Sequence, residues 1–115
     1  PANDEIPEVA EYKAFLESEG LSDIVTTAAT GWTAGEVTVA ILKQAAESPE
    51  GLTRASIINA ARNFTITPSL ARPGVVDKMS GEEDPYIAES LIVIQYDADT
   101  ATFSDIGELI TEFES

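Results

Sequence analysis

The sequence predicts an α/β fold, and two patterns carry that prediction. Three segments place apolar residues at helical spacing, and one uninterrupted aliphatic run, Leu91-Ile92-Val93-Ile94, lies between turn-forming stretches. With 115 residues, the chain is sized for one domain.

The first helix is expected over about residues 5–19. Asn3 or Asp4 can cap it, and Pro7 fits because it falls in the first turn. Ile6, Val9, the stem of Lys13 and Leu16 recur at helical spacing, and Ala10 and Phe15 widen the stripe. Glu8, Glu11, Glu17 and Glu19 form a solvated face, and Gly20 supplies a stop.

The second helix is expected over about 27–47, ended by Pro49 and Gly51. Its wide apolar surface includes Ala28, Ala29, Trp32, Val39, Ala40, Leu42 and Ala46. Gly31 and Gly35 share one face, and each costs a helix about 1 kcal/mol relative to Ala. The expectation is that another backbone approaches them closely.

A third helix is expected over about 53–63, with Thr53 as N-cap, a Leu52–Ile57 staple, and Ile58 and Ala61 facing inward. Pro68, Pro73, Gly74, Gly81 and Pro85 then punctuate a stretch of weak pattern, in which residues 81–85 read as an exposed acidic loop.

The main strand is expected over about 90–96. An apolar run without alternation implies cover on both faces. Residues 97–100 form a turn, 101–103 return as a short hairpin arm, and 105–113 are expected as a terminal helix. Such a strand needs neighbours for its backbone groups. They come from a longer parent chain, from a second copy, or from strands hidden within 64–76. The opening residues, 1–5, read as a cut in a longer chain.

Composition narrows the function. Six Lys and Arg face 21 Asp and Glu, for a formal charge of −15. That field repels nucleic acid and anionic membrane surfaces. With no Cys there is neither a disulfide nor a zinc–thiolate site, and with no His the usual general base and commonest metal ligand are missing. No nucleophile–base pairing or phosphate-binding glycine loop stands out, so no enzyme activity and no cofactor are expected. Asp97, Asp99, Asp105 and Glu108 match part of a calcium loop, but Ala101 and Thr102 occupy the positions that need a ligand and a glycine. Glu82, Glu83 and Asp84 read as solvated acids, and Tyr12, Tyr86 and Tyr96 as structural residues.

The order of these segments resembles the C-terminal portion of the type I periplasmic binding proteins, the receptors for branched-chain amino acids and related ligands. The matching segments are the small-residue helix start with its aromatic, Thr27-Ala28-Ala29-Thr30-Gly31-Trp32-Thr33-Ala34-Gly35-Glu36-Val37, the capped helix Leu52-Thr53-Arg54-Ala55-Ser56-Ile57-Ile58, and the strand and turn over 91–103. The resemblance spans nearly the whole chain and rests on the order of motifs, each weak alone. At Trp32 the family more often has Tyr.

The resemblance implies that residues 1–115 are a partial domain, the C-terminal portion of a two-lobed, extracellular, periplasmic or envelope-associated receptor. That receptor captures a small solute for an ABC permease. Trp32 then either touches ligand or packs as a core residue, and Thr27 and Thr30 either offer hydroxyls to ligand or cap the helix. Two rivals stand beside it. One is the ligand-sensing domain of a signalling receptor, and the other is a small self-associating module that forms a homodimer through the strand at 91–96.

Overall fold

The computed structural model describes residues 6–88 and 90–111. The fold is mixed α and β, with helices and two small antiparallel sheets.

Helix α1 (Pro7–Ser18) starts with Pro7 in its first turn and Ile6 as an N-cap without a side-chain bond. The expected caps Asn3 and Asp4 lie outside the described residues. Gly20 ends the helix as expected. It adopts φ +70°, which lets the Leu21 N–H donate back to the Leu16 carbonyl at 2.8 Å. The buried face is Val9, Tyr12 and Leu16, so Tyr12 takes the inward position that the expected stripe gave to Lys13, while Phe15 stays about half exposed.

A single 3-10 turn (Ser22–Ile24) leads into α2 (Val25–Ala46), which begins two residues earlier than expected. The Tyr12 hydroxyl donates to the Val25 carbonyl at 2.6 Å and fixes the entry of α2 onto α1. The expectation for Gly31 and Gly35 fails, because a Cβ at either would meet no atom within 4 Å.

Helix α3 (Arg54–Ala61) has the cap the sequence announced. The Thr53 Oγ1 accepts the Ser56 N–H at 3.2 Å, and the Ser56 Oγ accepts the Thr53 N–H at 2.9 Å. The Ser56 hydroxyl also donates to the Gly51 carbonyl. The staple is weak, since Leu52 is 62% exposed. The inward residues are Ser56 and Ala60 rather than Ile58. They share a crevice with Ala45 of α2, where small side chains let the two helices approach.

Two strands emerge from the punctuated stretch. Strand β1 (Asn63–Ile66) pairs antiparallel with β2 (Asp77–Ser80), with Phe64 opposite Met79. Phe64 plugs the core, and the Gln44 amide ties α2 to the Asn63 carbonyl at 2.7 Å. Residues 81–85 turn as expected, and the chain returns along β2 through a bridge between Asp77 and Ala88.

The C-terminal ribbon departs most from expectation. Among the described residues strand β3 (Leu91–Asp97) pairs only with β4 (Thr102–Ile110), which occupies both the expected short arm and most of the expected terminal helix. Thr111 follows without regular structure, and 112–113 lie outside the described residues. Gly107 at φ +86° sits in a bulge, where β4 takes four steps from Ile106 to Ile110 against two on β3 from Val93 to Leu91. The ribbon is open on both faces rather than covered. Leu91, Val93, Ile106 and Ile110 point one way, Ile94, Tyr96 and Phe103 the other, and all are exposed. An Arg72–Asp105 ion pair ties it to the loop before β2.

Candidate functional site: two grooves along α2

Helix α2 carries a groove on each side. The helical repeat sets this arrangement, because residues 32 and 36 fall on one face and 30, 33 and 37 on the other.

The first groove, about 780 Å³, lies between α1 and α2. Phe15, Leu16, Trp32, Val39 and Ile66 wall it, and Gly31 and Gly35 form its floor. Trp32 is held at the back by an edge-on contact with Tyr12 (centroids 5.3 Å apart) and a tilted one with Phe15 (5.7 Å). The indole Nε1–H donates to the Ser69 Oγ at 3.3 Å, and the Ser69 N–H donates to Glu36 Oε2 at 3.1 Å. The half-buried indole is therefore fixed on its polar edge and open on the groove side. Enclosure pushes the Tyr12 phenol above its ordinary pKa, so it stays protonated and keeps its bond to Val25.

The second groove, about 730 Å³, lies between α2 and the loop before β2. Its walls are apolar, from Val37, Leu70, Val75 and Ile87, but Thr30, Thr33 and Asp77 also reach it. Burial raises the Asp77 carboxyl pKa above the usual range.

The three residues singled out in the sequence therefore separate. Thr30 lines the second groove. Thr27, one turn earlier on the same side, is exposed and lines neither groove. Trp32 lies about 140° and 160° round the helix from Thr27 and Thr30, in the first groove. Sequence reading missed Tyr12, Glu36, Ser69 and Asp77 as site-forming residues. The spacing of Val9, Tyr12 and Leu16 at i, i+3 and i+7 would have found Tyr12. Nothing local marks the other three, which are brought in across the fold.

Among the described residues no cluster of acids is placed to hold a metal ion, and no helix is long and apolar enough to cross a membrane. Asp97 instead closes the β3–β4 turn, accepting N–H groups from Asp99 at 2.9 Å and Thr100 at 3.2 Å. No family model, curated protein or solved structure matches the chain.

Proposed function

We propose that this chain is the C-terminal portion of a two-lobed extracellular receptor that captures a small solute, an amino acid or related metabolite, and passes it to an ABC permease. The mechanism is closure of two lobes on the ligand, with no covalent step. The observation that carries the reading is an incomplete core. The β3–β4 ribbon leaves both apolar faces open. The Cα radius of gyration, 16.7 Å, exceeds the about 13 Å of a compact domain of 100 residues. A parent chain that supplied strands along the ribbon's edges and helices against its faces would complete it. The order of helix, long helix, capped helix and terminal hairpin supports the same reading.

Within this portion the second groove is the better ligand surface. It combines apolar walls with three threonines, Thr30, Thr33 and Thr38, and a carboxylate, the mixture a small polar metabolite needs. Thr30 contributes there and Trp32 does not. A thermal-shift screen of the parent chain against amino acids and related metabolites, with this chain alongside, tests the reading. A ligand at a hundred times its dissociation constant adds about 2.7 kcal/mol to the species that binds it. The expected result is a raised midpoint for the parent and none for the isolated portion. A parent that ignores the whole library, or a portion that responds as strongly by itself, overturns it.

The open ribbon also favours a second reading, a self-associating module joined through residues 91–96. Sedimentation distinguishes the two readings. A dimer mass that Val93→Lys and Ile94→Lys each return to monomer supports self-association.

A further inference from the structure

The first groove has a chemistry unlike the second. Its walls are apolar and wet, with Phe15 48% and Val39 49% exposed. Its glycine floor is bare, with no atom within 4 Å of where a Cβ would stand. The rim, by contrast, is acidic. Glu8 stands one turn before Tyr12 and Glu11 one turn before Phe15 on α1, and Glu19 caps that helix one turn after Phe15, all exposed and on the edge that Phe15 occupies. On α2, Glu36 lines the groove and Glu47 follows one turn beyond Lys43. Among the described residues Lys43 is the one cation in the lining, and Lys13 projects from another side of α1. Carboxylates therefore outnumber ammonium groups around the opening.

We infer that this groove docks an amphipathic helix of a separate partner protein, one whose apolar stripe is flanked by Lys and Arg. An apolar stripe at i, i+3, i+4 and i+7 fits a groove walled by Phe15, Trp32 and Val39. The bare stripe of Gly31 and Gly35 lets the incoming helix settle against the α2 backbone. Basic flanks answer Glu8, Glu11 and Glu19. A second copy of this chain is a poor occupant of this groove, because its helices would bring their own exposed glutamates against the acidic rim. The inference concerns a different groove from the proposed ligand surface and stands or falls separately from the receptor reading.

Trp32 is the chain's single tryptophan, so its fluorescence reports on this groove. The chain is titrated with a Leu/Lys amphipathic peptide of about 18 residues, roughly five helical turns. A Leu/Glu peptide of the same pattern and a scrambled Leu/Lys peptide are controls. The expected result is a saturable blue shift with the first peptide alone, in a one-to-one complex by sedimentation. Gly35→Leu fills the floor and abolishes the shift. The double variant Glu11→Gln and Glu19→Gln, on exposed positions that leave the fold intact, weakens binding several-fold and flattens its salt dependence. The inference is overturned if the Leu/Lys peptide gives no shift, or if either control peptide binds as well. It is equally overturned if the rim variant binds unchanged, or if the chain without peptide is already a dimer with a shielded Trp32.

Discussion

Residues 6–88 and the β3–β4 ribbon bury their side chains to very different degrees, although both are held by antiparallel pairing. In the first region Val9, Tyr12, Leu16, Ala45, Ala60 and Phe64 are enclosed between the helices and the β1–β2 pair. In the second no residue is enclosed, and order comes from the backbone ladder, the Tyr96–Phe103 ring contact at 5.0 Å and the Arg72–Asp105 pair. The difference teaches that a regular ladder does not by itself mark a core. Stability should be graded along the chain, with the ribbon opening locally at lower cost than the helical region unfolds.

The sharpest way to break this comparison uses the same substitution in both places. Phe64 and Phe103 are both strand phenylalanines, one 6% exposed and the other 64% exposed. Phe64→Ala should cost about 3–5 kcal/mol, because it leaves a cavity as well as losing the transfer energy. Phe103→Ala should cost about 1 kcal/mol or less, the worth of one cross-strand pair. Urea unfolding of the two variants checks it. Equal losses would mean that the ribbon is buried in solution, and would turn attention to the self-association reading.

That contrast was only partly legible in the sequence. The helices were, because each has local punctuation: Pro7 and Gly20 for α1, the Thr53 cap for α3, and Pro49 and Gly51 after α2. Strand β4 was not. Residues 105–113 hold Ile106, Leu109, Ile110 and Phe113 at spacings that also suit a helix, and Gly107 at φ +86° interrupts the strand alternation. Pairing with β3 decides the matter, and pairing is not a local property. Strands β1 and β2 are four residues each, too short for a period to declare itself. The open faces of β3 are hidden from the sequence for a different reason. An unbroken aliphatic run reports what a strand can bury, not what lies next to it. Of the site, α2 and its residues are legible, and their helical phase is what sends Trp32 and Thr30 to opposite grooves. Ser69 and Asp77 reach those grooves from loop and strand positions that no motif announces.

The cap of α3 sharpens the comparison within the well-packed region. Ser56 is buried, accepts the Thr53 N–H and donates to the Gly51 carbonyl, so its hydroxyl closes the loop onto the helix. Ser56→Ala should cost about 1–2 kcal/mol, since it removes the cap's second half and the bonds of a buried hydroxyl to the Thr53 N–H and the Gly51 carbonyl. Ser104→Ala on the exposed ribbon should stay within about 0.5 kcal/mol. Chemical denaturation reads both, and a Ser56 variant as mild as the Ser104 one would show that the loop at 48–53 is not held by this hydroxyl.

The smallest effect belongs to the ribbon's turn, and pH reveals it. The N–H groups of Thr100 and then Asp99 hold the Asp97 carboxyl below its ordinary pKa. A carboxyl depressed by folding stabilises the folded form fully above its unfolded value, near about pH 4, and loses that contribution as pH falls through the folded value. The turn is already strained by Ala101 at φ +54°, so it has little to replace those bonds. Amide protection across β3 and β4 should therefore fall on acidification below about pH 4, ahead of protection in α1 and α2. Asp97→Ala should show lower protection above about pH 4 and a smaller acid step, the remainder coming from the Arg72–Asp105 pair. Hydrogen exchange read residue by residue separates the outcomes. A ribbon that opens together with the helices would mean that the two regions form one cooperative unit, and the grading of stability proposed here would be wrong.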